Sequence, residues 1–527
     1  TGSNNISFGF QALYQPDTED HNLAVGANAL GGAIAGGEYN VAIGNYALDA
    51  LTSGDNNVAI GYNAGTAVTT GDAAVLIGYQ AGLTNTTGGS IIAIGYQAYN
   101  NADTEANNLA IGYQALGGAV NGGESNVAVG NYAGDGITSG DNNAILGYNA
   151  GANITTASEC VAIGTGTLNG SGGSTGINNV VIGHLAGNII TSGDRNVFVG
   201  HSAGDAATDA QYNVGVGNDA MTSLTSGHSN TAVGLSAHAA LTTGDYNIAI
   251  GREAADGFDT EDHNLAIGFA ALGGSVAGGE YNVAIGNSSL DALTSGDNNT
   301  VIGYQAGTDL TTANDNTIMG YNAGPNITEG SQSVYIGRDA GATITTGEFN
   351  VIVGSNADTD GGADADKVNV FGRGVYGSGG YTTVGYSSDE IRAAHGNITW
   401  ATVSDERFKK NIETSDAGLA VINDLRPVTY NWRTKGEIPE WSRWYEEGSD
   451  EQYKNSKLNH GFIAQEVKAV IDSHSELKDG FTMWDERPDG QQEVGETAIV
   501  PILVKAVQEL SATVTTLQQE INTLKGE

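Results

Sequence analysis

Between Gly9 and Gly372 a glycine closes the same short phrase 22 times, and 16 of the 21 intervals between those glycines are 17 residues long. The phrase is Asn, an aliphatic residue, Ala, Ile or Val, then Gly, as in Asn22-Leu23-Ala24-Val25-Gly26 and Asn247-Ile248-Ala249-Ile250-Gly251. Four of the other intervals are 18 residues and one is 19, so drift is absorbed one or two residues at a time. A fixed period of this size marks a solenoid, in which each repeat contacts its neighbours and added length means extension rather than more domains.

Residues two apart in a strand share a face, so Leu23 and Val25 lie together while Ala24 and Gly26 lie on the other side. The expected coil of a mostly β, parallel β-solenoid follows: strand, Gly corner, short second strand, Gly-Asp turn. The aliphatic face is expected to pack, leaving a thin Ala and Gly face that lets chains lie close. The recurring Asn should stack into a ladder that bonds the coils above and below. That ladder should weaken where Asn is replaced, at Ala74, Ile91, Cys160, Ser333 and Val368. A larger duplication overlies the small one, with Asp17 to Gly65 reappearing as Asp259 to Gly307 and more loosely as Asp103 to Gly151.

Charge divides the chain. Residues 1 to 366 hold no Lys, three Arg and 35 acidic residues, a net −32, whereas residues 367 to 527 carry −8 of the total −40. A surface this acidic repels nucleic acid and anionic membranes and keeps long rods apart. Cys160, the only cysteine, cannot form an intrachain disulfide and reads as a buried structural thiol. No stretch reaches the roughly 18 apolar residues of a membrane helix, so membrane insertion is not expected. The chain opens inside a repeat without Met, which reads as a fragment of a longer polypeptide.

Two rows of side chains are candidates for binding. The residue after the Gly is Tyr62, Tyr79, Tyr96, Tyr113, Tyr148, Tyr304 and Tyr321 in seven units but Asn45, His184, His201, Arg252 or Arg338 in others. Such variety predicts exposure, and an aromatic row can stack on sugars of a receptor. The Gly-Asp turns (Asp55, Asp141, Asp194, Asp245, Asp297) lack the nine-residue spacing of calcium solenoids and read as turn chemistry, so no metal and no cofactor is expected. These phrases resemble the β-roll head repeats of trimeric autotransporter adhesins and similar repeats in phage tail fibres. The resemblance implies a homotrimer and a left-handed roll.

Past Gly372 the period is lost. A glycine-rich connection over 373–403 leads to Val403-Ser404-Asp405-Glu406-Arg407-Phe408-Lys409-Lys410, then Leu425-Arg426-Pro427-Val428-Thr429-Tyr430-Asn431-Trp432, then His460-Gly461-Phe462-Ile463-Ala464-Gln465-Glu466. The three motifs in this order resemble the intramolecular chaperone and auto-processing domain that ends phage tail spikes and fibres, including endosialidases. The resemblance implies that 404–500 is such an α+β domain and that Ser404 and Lys409 form a serine-lysine dyad cutting the chain beside Ser404. A desolvated Lys can act as the base that a serine nucleophile needs. Asp405 reads as a loop-orienting residue and His460 as a possible assistant to cleavage. The resemblance favours the Ser404–Asp405 bond, while attack on the Val403 carbonyl is the easier geometry. The segment from Gly436 to Lys457 is an insertion without an assigned role.

From 501 to 527 the chain reads as a coiled-coil helix: Leu503, Val507, Leu510, Val514, Leu517, Ile521 and Leu524 are spaced alternately four and three. β-branched residues alternating with Leu favour a parallel dimer by themselves; the packing of the whole rod outweighs three heptads and favours the trimer. The expected whole is a virion tail fibre that attaches to a host surface receptor, glycan or protein, and to other tail or baseplate proteins. Its only enzymology is single-turnover autoproteolysis. A bacterial cell-surface adhesin and a polysaccharide-degrading tailspike are the alternatives.

Overall fold

The computed structural model describes residues 2–15, 18–170, 172–396, 406–442, 444–477, 481, 483–486 and 490–526. The chain forms two compact units, 1–403 and 404–527. In the first, 21 of the 22 phrases each fold as one three-residue strand, from β1 (Ile6–Phe8) to β21 (Val351–Val353), and the last folds as a longer one. Each strand pairs in parallel with the next at equivalent positions, for example Val58 with Val75, Ala59 with Leu76 and Ile60 with Ile77. The result is a parallel β-solenoid of one continuous sheet, about 100 Å long at a strand spacing of about 4.8 Å.

The expected second strand is not formed. After the glycine the chain runs through turns, yet its backbone still bonds coil to coil there, with Leu48 N donating to Ala64 O at 3.0 Å and Thr52 N to Thr69 O at 2.9 Å. Several residues of each coil sit at positive φ, including Leu48 (50°), Asn56 (61°) and Asn63 (57°). Such tight bends leave no extended run on that side for a second strand. At the phrase glycine the constraint is absolute: Gly61 has φ +141°, and a Cβ there would lie 2.2 Å from the Gly78 carbonyl oxygen of the next coil.

Which strand face points inward is the reverse of the sequence expectation. Ala24, Ala59 and Ala249 are fully buried, while the flanking aliphatic residues are half-buried or exposed. A 17-residue coil encloses little volume, and the turn side already fills it with Leu48, Leu51 and Val68. The strand therefore contributes its small residue. Where it does not, the neighbours shrink: Phe198 is buried, and a Cβ on Gly204 or Gly215 would lie 2.6 or 2.9 Å from its ring.

The Asn ladder forms as read. Asn40 Nδ2 donates to Gly54 O at 2.9 Å, while its Oδ1 accepts from Asn57 N at 2.9 Å and Asn57 Nδ2 at 3.1 Å. Ser333 keeps half of this pattern by accepting from Asn350 N at 2.9 Å through its hydroxyl. Cys160 is buried in the same row with its Sγ 3.4 Å from Gly176 O, and burial pushes its thiol pKa up.

Three of the 18-residue coils use one shared device. Buried Glu19, Glu105 and Glu261 each accept from a glycine N–H of the next coil, at Gly36 (2.8 Å), Gly122 (2.8 Å) and Gly278 (3.0 Å). The extra residue is thus tied down by a carboxylate, and Asn45, Asn131 and Asn287 follow by accepting from the preceding coil. These are the three copies of the larger duplication.

The span read as a connection continues the sheet. β23 (Asn369–Arg373) pairs with β21 and with β25 (Tyr381–Tyr386), while β22 (Asp358–Thr359) and β24 (Tyr376–Gly377) pair alongside. Finally β26 (Asp389–Ala394) runs antiparallel to β25 and closes the edge with Asp389, Glu390 and Arg392.

Candidate functional site in the carboxy-terminal unit

The second unit is built on a small apolar core of Ala417, Val421, Leu425, Val467, Ile471, Leu477, Met483 and Ile502. Val421 comes from α1 (Leu419–Asp424), Val467 and Ile471 from α2 (Ala464–Ser473) and Ile502 from the start of α3 (Val500–Lys525), while the other four flank these helices in the chain. Glu509 of α3 reaches α1, accepting from Leu419 N at 2.8 Å. Gly418 leaves room for it, since a Cβ there would lie 2.4 Å from the Glu509 carboxylate. His474 ties the ends of α1 and α2, its Nε2 2.9 Å from Asp424 and its Nδ1 2.9 Å from Glu476. Those two carboxylates, Asp424 first, raise its pKa.

The second and third sequence motifs meet directly. β27 (Val428–Tyr430) pairs antiparallel with β28 (Asn459–Gly461), which sets Thr429 opposite His460. Arg426 and Glu466 form a two-pronged ion pair, with Nε to Oε2 at 2.9 Å and Arg426 Nη2 to Oε1. That pair raises the Arg426 pKa and lowers that of Glu466. Sequence reading missed it, although both residues stood in quoted motifs 40 positions apart. Gly461 faces the Glu496 carboxylate, whose Oε1 would lie 2.9 Å from a Cβ at that position.

Two clefts flank this hairpin and share Phe462 and Glu496. One, about 390 Å³, is lined by Pro427, Thr429 and exposed His460. The other, about 450 Å³, is lined by Tyr430, Trp432, Lys454 and Gln465. The insertion now has a place: it returns with Tyr453 N donating to Arg433 O at 2.9 Å and lays Tyr453 and Lys454 against Trp432, with Lys454 Nζ 4.3 Å from the Trp432 ring centre.

Ser404 and Asp405 lie outside the described residues. Lys409 is exposed directly after a 3₁₀ turn over Glu406–Phe408 and donates its backbone N–H to Glu406 O at 3.0 Å.

Residues 404–475 match the family model described as chaperone of endosialidase. The match begins at Ser404, the residue at which the second compact unit also begins. It spans all three motifs, the Arg426–Glu466 pair and His460. No curated protein and no solved structure matches the chain.

The last helix leaves its heptad seam uncovered. Ile502 and Ala506 are buried in the unit's core, whereas Leu503, Val507, Leu510, Val514, Leu517, Ile521 and Leu524 are all exposed. By length and composition the helix segment Glu496–Lys525 also passes as a membrane span, which corrects the sequence reading that no stretch does. Thr, Gln, Glu and Asn recur between the seam residues after Leu510, so the helix pairs one apolar stripe with a polar face.

On the rod, the tyrosines after the glycines are exposed and stacked on one another. Ring centres are 5.5 Å apart for Tyr62–Tyr79, 5.0 Å for Tyr79–Tyr96, 5.0 Å for Tyr96–Tyr113 and 5.4 Å for Tyr304–Tyr321, whereas Tyr148 meets Tyr132 edge-on. Both faces of Tyr79 and Tyr96 are therefore taken by neighbours, leaving edges and hydroxyls for any ligand. The turn aspartates act within the fold: Asp55 Oδ1 accepts from Glu38 N at 2.7 Å, and Asp245 and Asp297 do the same for preceding coils. Among the described residues no His, Cys, Asp and Glu group is arranged to hold a metal ion.

Proposed function

We propose that the chain is a homotrimeric phage tail fibre whose carboxy-terminal unit assembles the trimer and then cuts itself off beside Ser404. The observation that carries the reading is the coincidence at Ser404 of the family match and the unit boundary, immediately after a rod that ends in its own closing hairpin. Rows that repeat every 17 residues let chains align out of register by whole coils. A detachable unit with an apolar helix seam supplies alignment while the rod forms and is dispensable afterwards.

In the cleavage step Lys409 takes the Ser404 hydroxyl proton while the oxygen attacks a neighbouring carbonyl. The amide bond breaks, the proton passes to the departing nitrogen, and water releases the ester. His460, exposed on β28, is a candidate assistant, and Asp405 a loop-orienting residue. The released rod attaches to a host surface receptor, with the tyrosine rows offering ring edges and hydroxyls.

Mass spectrometry of the expressed protein tests this. The wild type should yield two fragments that part beside Ser404, and Ser404→Ala or Lys409→Ala should leave the chain whole. A folded, trimeric wild-type protein that stays intact would overturn the processing claim.

A further inference from the structure

The rod carries an unpartnered surface that its sequence conceals. Across β1 to β21, each strand turns two residues outward, and of these 42 positions three are Thr, none is charged and all others are apolar. All are half-buried or exposed, and the most open include Val127 at 41%, Leu146 at 49% and Ile250 at 40%. This ribbon runs the length of a unit whose first 366 residues carry 35 acidic groups, and not one of those groups stands on it.

Size decides whether the ribbon needs a partner. About 100 Å of stacked strands and a width of about 10 Å give roughly 1,000 Å² of flat apolar surface. Soluble monomers rarely expose a continuous patch above about 300–600 Å², and a stable interface needs about 800 Å² from each partner.

We infer that this aliphatic sheet face is the seam along which copies of the same rod pack, parallel and in register. The inference rests on the oligomeric part of the proposed function and adds where and how the copies meet. The occupant is argued from periodicity: rows repeating at the strand spacing over more than 20 coils fit best against rows of the same spacing. Register is argued from the three polar positions. Thr231, Thr300 and Thr317 lie in the 14th, 18th and 19th strands. In a parallel, in-register assembly each Thr meets its own counterpart, whereas an antiparallel one sets each against the aliphatic rows of the eighth, fourth and third strands. Burying flat aliphatic faces against each other stabilises by about 25 cal/mol per Å² removed from water.

Cysteine variants of the full chain test this, because the native Cys160 is buried and provides a silent background. Leu146→Cys and Ile250→Cys place thiols on the ribbon, and Ser53→Cys places one on an exposed turn as control. Mild oxidation should link Leu146→Cys chains to one another, and likewise Ile250→Cys chains. It should not link the two variants to each other when they are co-expressed, nor Ser53→Cys chains. In the native oligomer maleimide labelling should be lost at both ribbon positions and kept at Ser53→Cys, and on unfolding every variant should take up two labels, one of them at Cys160. An oligomer whose ribbon cysteines label freely and do not cross-link would overturn the seam while leaving the fibre reading intact. Links between the two ribbon variants would overturn the register, and a monomer by light scattering would overturn both seam and trimer.

Discussion

His238 shows how one residue departs from the pattern around it. It stands four positions after its phrase glycine, where other coils place Leu30, Leu48 or Leu290, and it is wholly buried 5.9 Å from the Phe258 ring. Neither ring nitrogen reaches a hydrogen-bond partner. Burial holds its pKa down to about 4. The unfolded chain binds a proton near pH 6.5 and the folded rod does not, so stability is full above that pH and declines as pH falls toward 4. The loss amounts to about 3 kcal/mol at most. Denaturant unfolding at pH 7 and pH 4.5 should show this drop, and His238→Leu should flatten it. Residue roles of this kind were partly legible in the sequence. The Asn row was readable because a buried amide has few ways to satisfy both of its groups. Strand orientation was not, because Ala and Val alternate as two apolar faces and only the cross-section of the closed coil selects between them.

At the scale of the element, a coil is held by side chains that finish the backbone bonding of its neighbours. Asn126 Nδ2 donates to Gly140 O at 2.9 Å, and its Oδ1 accepts from Asn143 N at 3.0 Å and Asn143 Nδ2 at 2.9 Å. Asn126→Ala should strand a buried carbonyl and a buried N–H at about 1–3 kcal/mol each. Because repeats couple mainly to neighbours, hydrogen exchange should accelerate at the amide of Asn143 and stay unchanged at Asn247. In the second unit, His474 bridges two helices and gains a raised pKa from Asp424 and Glu476. Its contribution is present below pH 6.5 and is lost as pH rises through the raised value, opposite in sign to His238. His474→Gln should remove that dependence from the thermal midpoint of the unit. The helix α3 was legible as a seam from spacing alone, whereas the Arg426–Glu466 fork was not, since residues 40 apart carry no periodic signal.

For the whole molecule, charge and cap together set what the rod can join. A net charge of −40 keeps separate particles apart, and that protection should fail near the sequence pI of about 4.2. Turbidity of the purified protein should rise as pH approaches this value and fall again on return to pH 7; unchanged scattering would mean that another feature keeps the rods apart. The closing hairpin has a different consequence. Every parallel strand up to β25 invites another of its kind, as in any stacked-strand assembly, but β26 reverses direction and places Asp389, Glu390 and Arg392 along the last row. It precedes Ser404, so a cut beside that residue would leave it on the rod. The rod thereby carries a growth terminator at this end, so further parallel strands of its own kind find no matching edge after β26.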